Sequence, residues 1–117
     1  MKIEKFVTID DGQMAQLGRN SWSVARLITL SRDLEVFDIP LNHLNIYYRY
    51  NDLSLREMVM HMRAVLDADL NYPIILDEDG EVLDGRHRIM KAIIEGKDSI
   101  KAVRFEVNPS PCIHDDD

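Results

Sequence analysis

The sequence predicts one α/β (α+β) domain, a small mixed sheet with packed helices. Three observations carry that expectation. Short runs with β character alternate with segments of helical periodicity. One hairpin runs through a glycine straight into a helix. At 117 residues the chain is long enough to bury a core without disulfides or a structural metal.

Residues 3–9, Ile-Glu-Lys-Phe-Val-Thr-Ile, read as a strand that stops at Asp10-Asp11-Gly12. From Ser21 to about Asp33 the positions Val24, Leu27 and Ile28, flanked by Trp22 and Ala25, follow helical spacing, with Asn20 or Ser21 as cap and Trp22 as a core aromatic. Val36–Leu41 reads as a strand, and Pro40 within it points to an edge or an end.

The next helix starts at Ser54. Ser54 and Glu57 form a capping box, Leu53 and Met58 a hydrophobic staple, and Leu55, Met58, Val59, Met62, Val65 and Leu66 an apolar face expected to be buried. Arg56, His61, Arg63 and Asp67 form the opposite, solvated face, and the methionines at 58 and 62 read as core filler. Ile74-Ile75-Leu76 and Glu81-Val82-Leu83, joined by a turn containing Asp79-Gly80, read as a hairpin. A helix with Ile89, Met90, Ile93 and Ile94 follows and ends at Gly96. Ile100–Val107 alternates as a last strand, and Asn108-Pro109-Ser110-Pro111 breaks it into a flexible acidic tail spanning 108–117.

The balance of 14 basic against 21 acidic residues gives a net charge of −7, which argues against DNA binding over the general surface. The single Cys112 excludes an intramolecular disulfide framework, and no thiols are spaced for zinc. No apolar run approaches the ~20 residues of a membrane span, so a cytoplasmic protein is expected. His43 and His61 read as isolated histidines, and the closing run His114 to Asp117 as a solvated acidic end rather than a metal site.

Chemistry concentrates at Asp84-Gly85-Arg86-His87-Arg88, where three basic side chains stand at the start of a helix. The free first-turn amides already make that end positive, so each cation there costs roughly 0.3–1 kcal/mol unless something negative compensates. Two readings stay open. In one, Asp84 caps, Gly85 turns and the basic side chains pair with surface carboxylates. In the other, Gly85 and the amides of Arg86, His87 and Arg88 cradle a phosphate, with Arg88 as a planar fork, His87 as donor, acid or base, and Asp84 orienting His87 or holding magnesium.

Pro73-Ile74-Ile75-Leu76, the Asp79-Gly80 turn and Val82-Leu83-Asp84-Gly85-Arg86-His87-Arg88-Ile89, with Ala92 beyond, resemble the signature of the ParB/sulfiredoxin-like superfamily. Val36–Leu44 and Ser54–Met58 resemble its preceding strand and helix, so the resemblance covers about residues 35–107 and leaves 1–34 as an added strand and helix within one folding unit. The resemblance implies nucleotide phosphates on the glycine turn, ATP or CTP with Mg²⁺. Arg86 stands where a sulfiredoxin has its cysteine, which argues against sulfinic-acid reduction. The helix-turn-helix that the superfamily's chromosome-partitioning members append has no counterpart in these residues. The serine-kinase members carry a glutamate near Asn42–Asn51, where this chain has Tyr47, Tyr48, Arg49 and Tyr50; Arg49 reads as a further phosphate contact or a surface Arg among tyrosines. The expected function is therefore a ligand-controlled binding or regulatory module, open to a protein partner, with a phosphotransferase or nucleotide hydrolase as alternative and a nuclease ranked last.

Overall fold

The computed structural model describes residues 14–17, 19–46 and 52–114. In chain order these form strands β1 (Met14–Leu17) and β2 (Asn20–Ser23), helix α1 (Val24–Ser31), strand β3 (Phe37–Pro40), a 3-10 turn (Leu41–His43) and helix α2 (Leu55–Asp67). Strands β4 (Ile74–Leu76) and β5 (Val82–Asp84), helix α3 (Arg86–Ile94) and strands β6 (Ser99–Arg104) and β7 (Ile113–His114) follow. The mixed α+β class is the expected one. The expected strand at 3–9, Arg49 with its neighbouring tyrosines and the closing Asp115–Asp117 lie outside the described residues.

The hairpin forms because its turn satisfies itself. Both Asp79 and Glu81 donate their backbone N–H to Oδ1 of the buried Asp77 at 2.8 Å, and Gly80 takes the positive φ of 86° that the tight turn requires. From this hairpin a mixed sheet extends in the order β3-β6-β4-β5, with β6 parallel to β4 and antiparallel to β3. Pro40 closes β3 at the sheet edge, where a residue without an N–H does least harm.

Successive side chains of a strand point to opposite faces, and both faces of this sheet are covered. Ile74, Leu76, Val82, Ile100 and Ala102 pack with Leu41, Leu44 and Ile89 and Ala92 of α3 on one side. Ile75, Leu83, Val103 and Phe105 pack with Ala15, Trp22, Val24 and Leu27 on the other. The first of these layers sets the position of the glycine turn, because Ile74 lies directly beneath it.

Four expectations are corrected. Residues 20–23 are strand rather than helix start: β2 pairs with β1, and Ser23, not Asn20 or Ser21, caps α1 by accepting from the Arg26 amide. Residues 108–114 are fastened rather than a free tail. The Pro109 carbonyl accepts from Trp22 Nε1 at 2.8 Å, the Ser110 carbonyl accepts from Arg26, and β7 adds to β2. The last central strand ends at Arg104, since Glu78 and Asn108 exchange two hydrogen bonds at the hairpin tip and turn the chain away, leaving Val107 exposed.

The largest correction concerns α2. Its capping box is present as expected, with Glu57 N–H to Ser54 Oγ at 3.1 Å and Ser54 N–H to Glu57 Oε1 at 2.9 Å. Yet Val65 alone on this helix is buried, whereas Leu55, Met58, Val59, Met62 and Leu66 are between 47 and 79 % exposed. The methionines at 58 and 62 are therefore not core filler. The helix meets α3 through a side expected to be solvated, the side that carries His61. Among the described residues no helix is long and apolar enough to cross a membrane.

Candidate functional site

The site forms where β5 ends and α3 begins. Gly85 is the N-cap of α3 with φ 113° and ψ 19°, a conformation that L side chains rarely adopt. A Cβ at this position would stand 2.5 Å from Ile74 Cγ2 and 2.8 Å from Ile74 Cβ. Two independent constraints thus require glycine here, and both are internal to the fold. Gly85 has no side chain to cap with, and the first turn of α3 holds no acidic residue. The amides of His87 and Arg88 consequently receive nothing from the N-cap, and the positive end of the helix dipole is not offset within its own first turn.

The five residues of the turn divide by task. Arg88 reaches back rather than outward: its Nη1 donates to the Pro73 carbonyl at 2.8 Å and its Nη2 lies 3.6 Å from Asp84 Oδ2. With the two side chains only 22 and 15 % exposed, this fork ties the start of β4 to the end of β5. Burial pushes the Asp84 carboxyl above its ordinary 3.8, while Arg88 and the Gly85 amide pull it down in part. Asp84 faces Arg88, and the group hydrogen-bonded to the His87 ring is a different one. Arg86, by contrast, is exposed at the first helical position.

His87 is half-buried, and its Nε2 lies 2.8 Å from Nδ1 of His61 on α2. The rings are tilted by 39° with centroids 5.1 Å apart, so the contact is an edge-on hydrogen bond and not a stack. Burial first, then His61, Arg86 and Arg88, hold the His87 imidazole below its ordinary 6.5, so it is neutral at pH 7. Reading the sequence along α2 missed His61. No local spacing marks it, because its partner is 26 residues away on another helix.

Among the described residues no group of three or more His, Cys, Asp or Glu side chains is placed to hold a metal ion. Asp84 is the carboxylate within the turn itself, and it is engaged by Arg88. Cys112 lies beside Ser23 and Arg26 at the start of α1, with its sulfur accepting from the Ser23 amide at 3.5 Å. No protein-family model, no curated protein and no solved structure matches this chain.

Proposed function

We propose that this protein is a ParB/sulfiredoxin-like binding module that takes a nucleotide or another phosphate-bearing small molecule at the start of α3, as a ligand-controlled regulator in the cytoplasm. The observation that carries the reading is the first turn of α3 itself. It has a glycine cap that offers no side-chain oxygen, no acidic side chain, and Arg86, His87 and Arg88 in succession. An anion at that point satisfies amides and offsets the Arg86 cation and the helix dipole at once.

Within this proposal the roles follow from which side chains are already engaged in the fold. Arg86 supplies the cation toward the ligand, His87 a neutral N–H donor, and Gly85 the close backbone approach. Arg88 and Asp84 hold the turn in shape, with Arg49 as a further contact outside the described residues. ATP or CTP with Mg²⁺ is the ligand class that the superfamily resemblance supplies. The net charge of −7 speaks against DNA as the partner.

A second reading, phosphoryl transfer or nucleotide hydrolysis at the same turn, draws on one observation. His87 is held neutral and hydrogen-bonded to a second imidazole, which is what a general base near neutral pH needs. Thermal melting against nucleoside mono-, di- and triphosphates, with and without Mg²⁺, tests both. A ligand at ~100 times its Kd adds about 2.7 kcal/mol, several degrees for a domain of this size. Arg86→Ala is the informative variant, since it removes a cation without touching the Arg88 fork. A shift in wild type that Arg86→Ala reduces supports the binding reading, and phosphate release from the bound nucleotide supports the second. No shift with any nucleotide rules out the nucleotide in both readings, and no shift with inorganic phosphate or pyrophosphate beside it rules out the phosphate site itself.

A further inference from the structure

We infer that the outward face of α2 is the interface through which two copies of this chain pair about a two-fold axis. Leu55, Val59, Met62 and Leu66 follow one another at intervals of four, three and four residues, with Met58 beside them. That is the spacing of a seam packed against a second helix, and it is narrower than the face of a helix lying on a sheet. In this fold the seam has no such partner among the described residues. The helix touches α3 through His61 and buries Val65, which lie about a third of a turn around the axis from the seam. The apolar stripe therefore faces outward while polar contacts hold the helix in place.

Two features select a second copy as the occupant. First, the intervals of four, three and four read the same in both directions. In an antiparallel pair Leu55 of one copy lies opposite Leu66 of the other, and Val59 opposite Met62, so one two-fold axis satisfies every seam residue. Secondly, the area is sufficient. The five exposed side chains present on the order of 500–600 Å² of apolar surface, at the upper end for a monomer. Pairing two such faces buries about 1,000–1,200 Å² in total, the lower bound of a specific interface. On the rim, Arg56 of one copy falls between Arg63 and Asp67 of the other, so like and opposite charges roughly cancel. Each copy carries −7, so long-range repulsion opposes the pairing and salt relieves it.

The test is sedimentation equilibrium of the full chain over a concentration range of ~1 to ~500 µM, where small interfaces associate. The expected result is a species of twice the 13.6 kDa chain mass in the upper part of that range, not weakened by raising salt from ~0.05 to ~0.5 M. Met62→Glu should abolish it with an unchanged melting temperature. Leu55→Ser, in the exposed first turn, carries the same expectation should Met62→Glu unfold the chain. Lys101→Met on β6 lowers the net charge by the same single unit away from the seam and should leave the dimer intact. A wild type that stays monomeric throughout, or a dimer indifferent to both seam variants, overturns the proposal. In the monomeric case the melts say what replaces it. Destabilisation by Met62→Glu would mean that the face is covered from within the chain, and unchanged stability would leave it for a different protein.

Discussion

His61 Nδ1 and His87 Nε2 stand 2.8 Å apart, joining the middle of α2 to the first turn of α3 by one hydrogen bond between imidazoles. One ring must donate and the other accept, so the pair tolerates a single added proton and not two. This contact links the two outward-facing features of the protein, the start of α3 and the apolar seam of α2.

Acid should therefore weaken the fold through His87. Its folded-state pKa lies below 6.5, so the stability it contributes is fully present above pH 6.5 and is lost as pH falls through the folded value. Urea unfolding at a series of pH values from neutral downward should show stability declining below pH 6.5, with a shallower decline in His87→Gln. An identical slope in the variant would show that the loss comes from other groups.

Gly85→Ala should be among the most damaging small substitutions in the chain. The backbone strain at φ 113° costs about 1–3 kcal/mol and the collision with Ile74 a similar amount, so a loss of about 2–6 kcal/mol is expected. Gly96 provides the control. It also has positive φ, 72°, but a Cβ there would meet nothing within 4 Å, so Gly96→Ala should cost only about 1 kcal/mol. Equal losses in urea melts of the two variants would show that the contact with Ile74 contributes nothing.

Arg88→Met should destabilise by about 1.5–3 kcal/mol, because it removes a charged donor from the Pro73 carbonyl and the cation beside Asp84. Asp84 gives this variant a pH signature. Its folded pKa is raised above 3.8, so its contribution is fully present below pH 3.8 and is lost as pH rises through the folded value. Without Arg88 that pKa rises further and the loss at neutral pH deepens. Adding Asp84→Asn to Arg88→Met should recover part of the stability at pH 7, and none would be recovered if the pair were solvated.

What could be read from the sequence was what neighbouring residues decide among themselves. The capping box at Ser54–Glu57 is an instance, as is the hairpin turn at Asp77–Glu81. So is the end of α3, where Lys97 N–H bonds the Ala92 carbonyl and Gly96 N–H the Ile93 carbonyl. The periodicity of α2 disclosed an apolar stripe, but not whether the sheet or something else would cover it. Asn20-Ser21-Trp22-Ser23 has no strand pattern of its own; it is held extended by β1 and by Ile113 and His114, some 90 residues on. The turn at 84–88 was located by its motif, yet the partners that divide its residues by task, Pro73 and His61, stand 15 and 26 residues away. Those distances are closed by packing, which spacing along one element does not encode.

Lys91 offers the sharpest test of how α2 is held. Its Nζ donates to the Leu66 carbonyl at 3.0 Å and to the Ala68 carbonyl at 2.7 Å, capping the C-terminal end of α2 from the side of α3. With Val65 as the only buried residue of the helix, this cap and the His61–His87 bond supply much of its attachment. Lys91→Met keeps the aliphatic stem and removes the ammonium, at a cost of about 1–2 kcal/mol for two charge-assisted bonds on a partly exposed surface. The loss should be local. Hydrogen exchange should accelerate in the last turn of α2 while β4 and β6 keep their protection, since a helix held by few buried contacts opens before the sheet does. Ser54→Ala, which removes the cap at the other end for about 1 kcal/mol, should accelerate exchange in the first turn instead. Uniform acceleration across helix and sheet in either variant would mean that α2 unfolds only with the whole domain, and that its apolar stripe is anchored more firmly than these contacts imply.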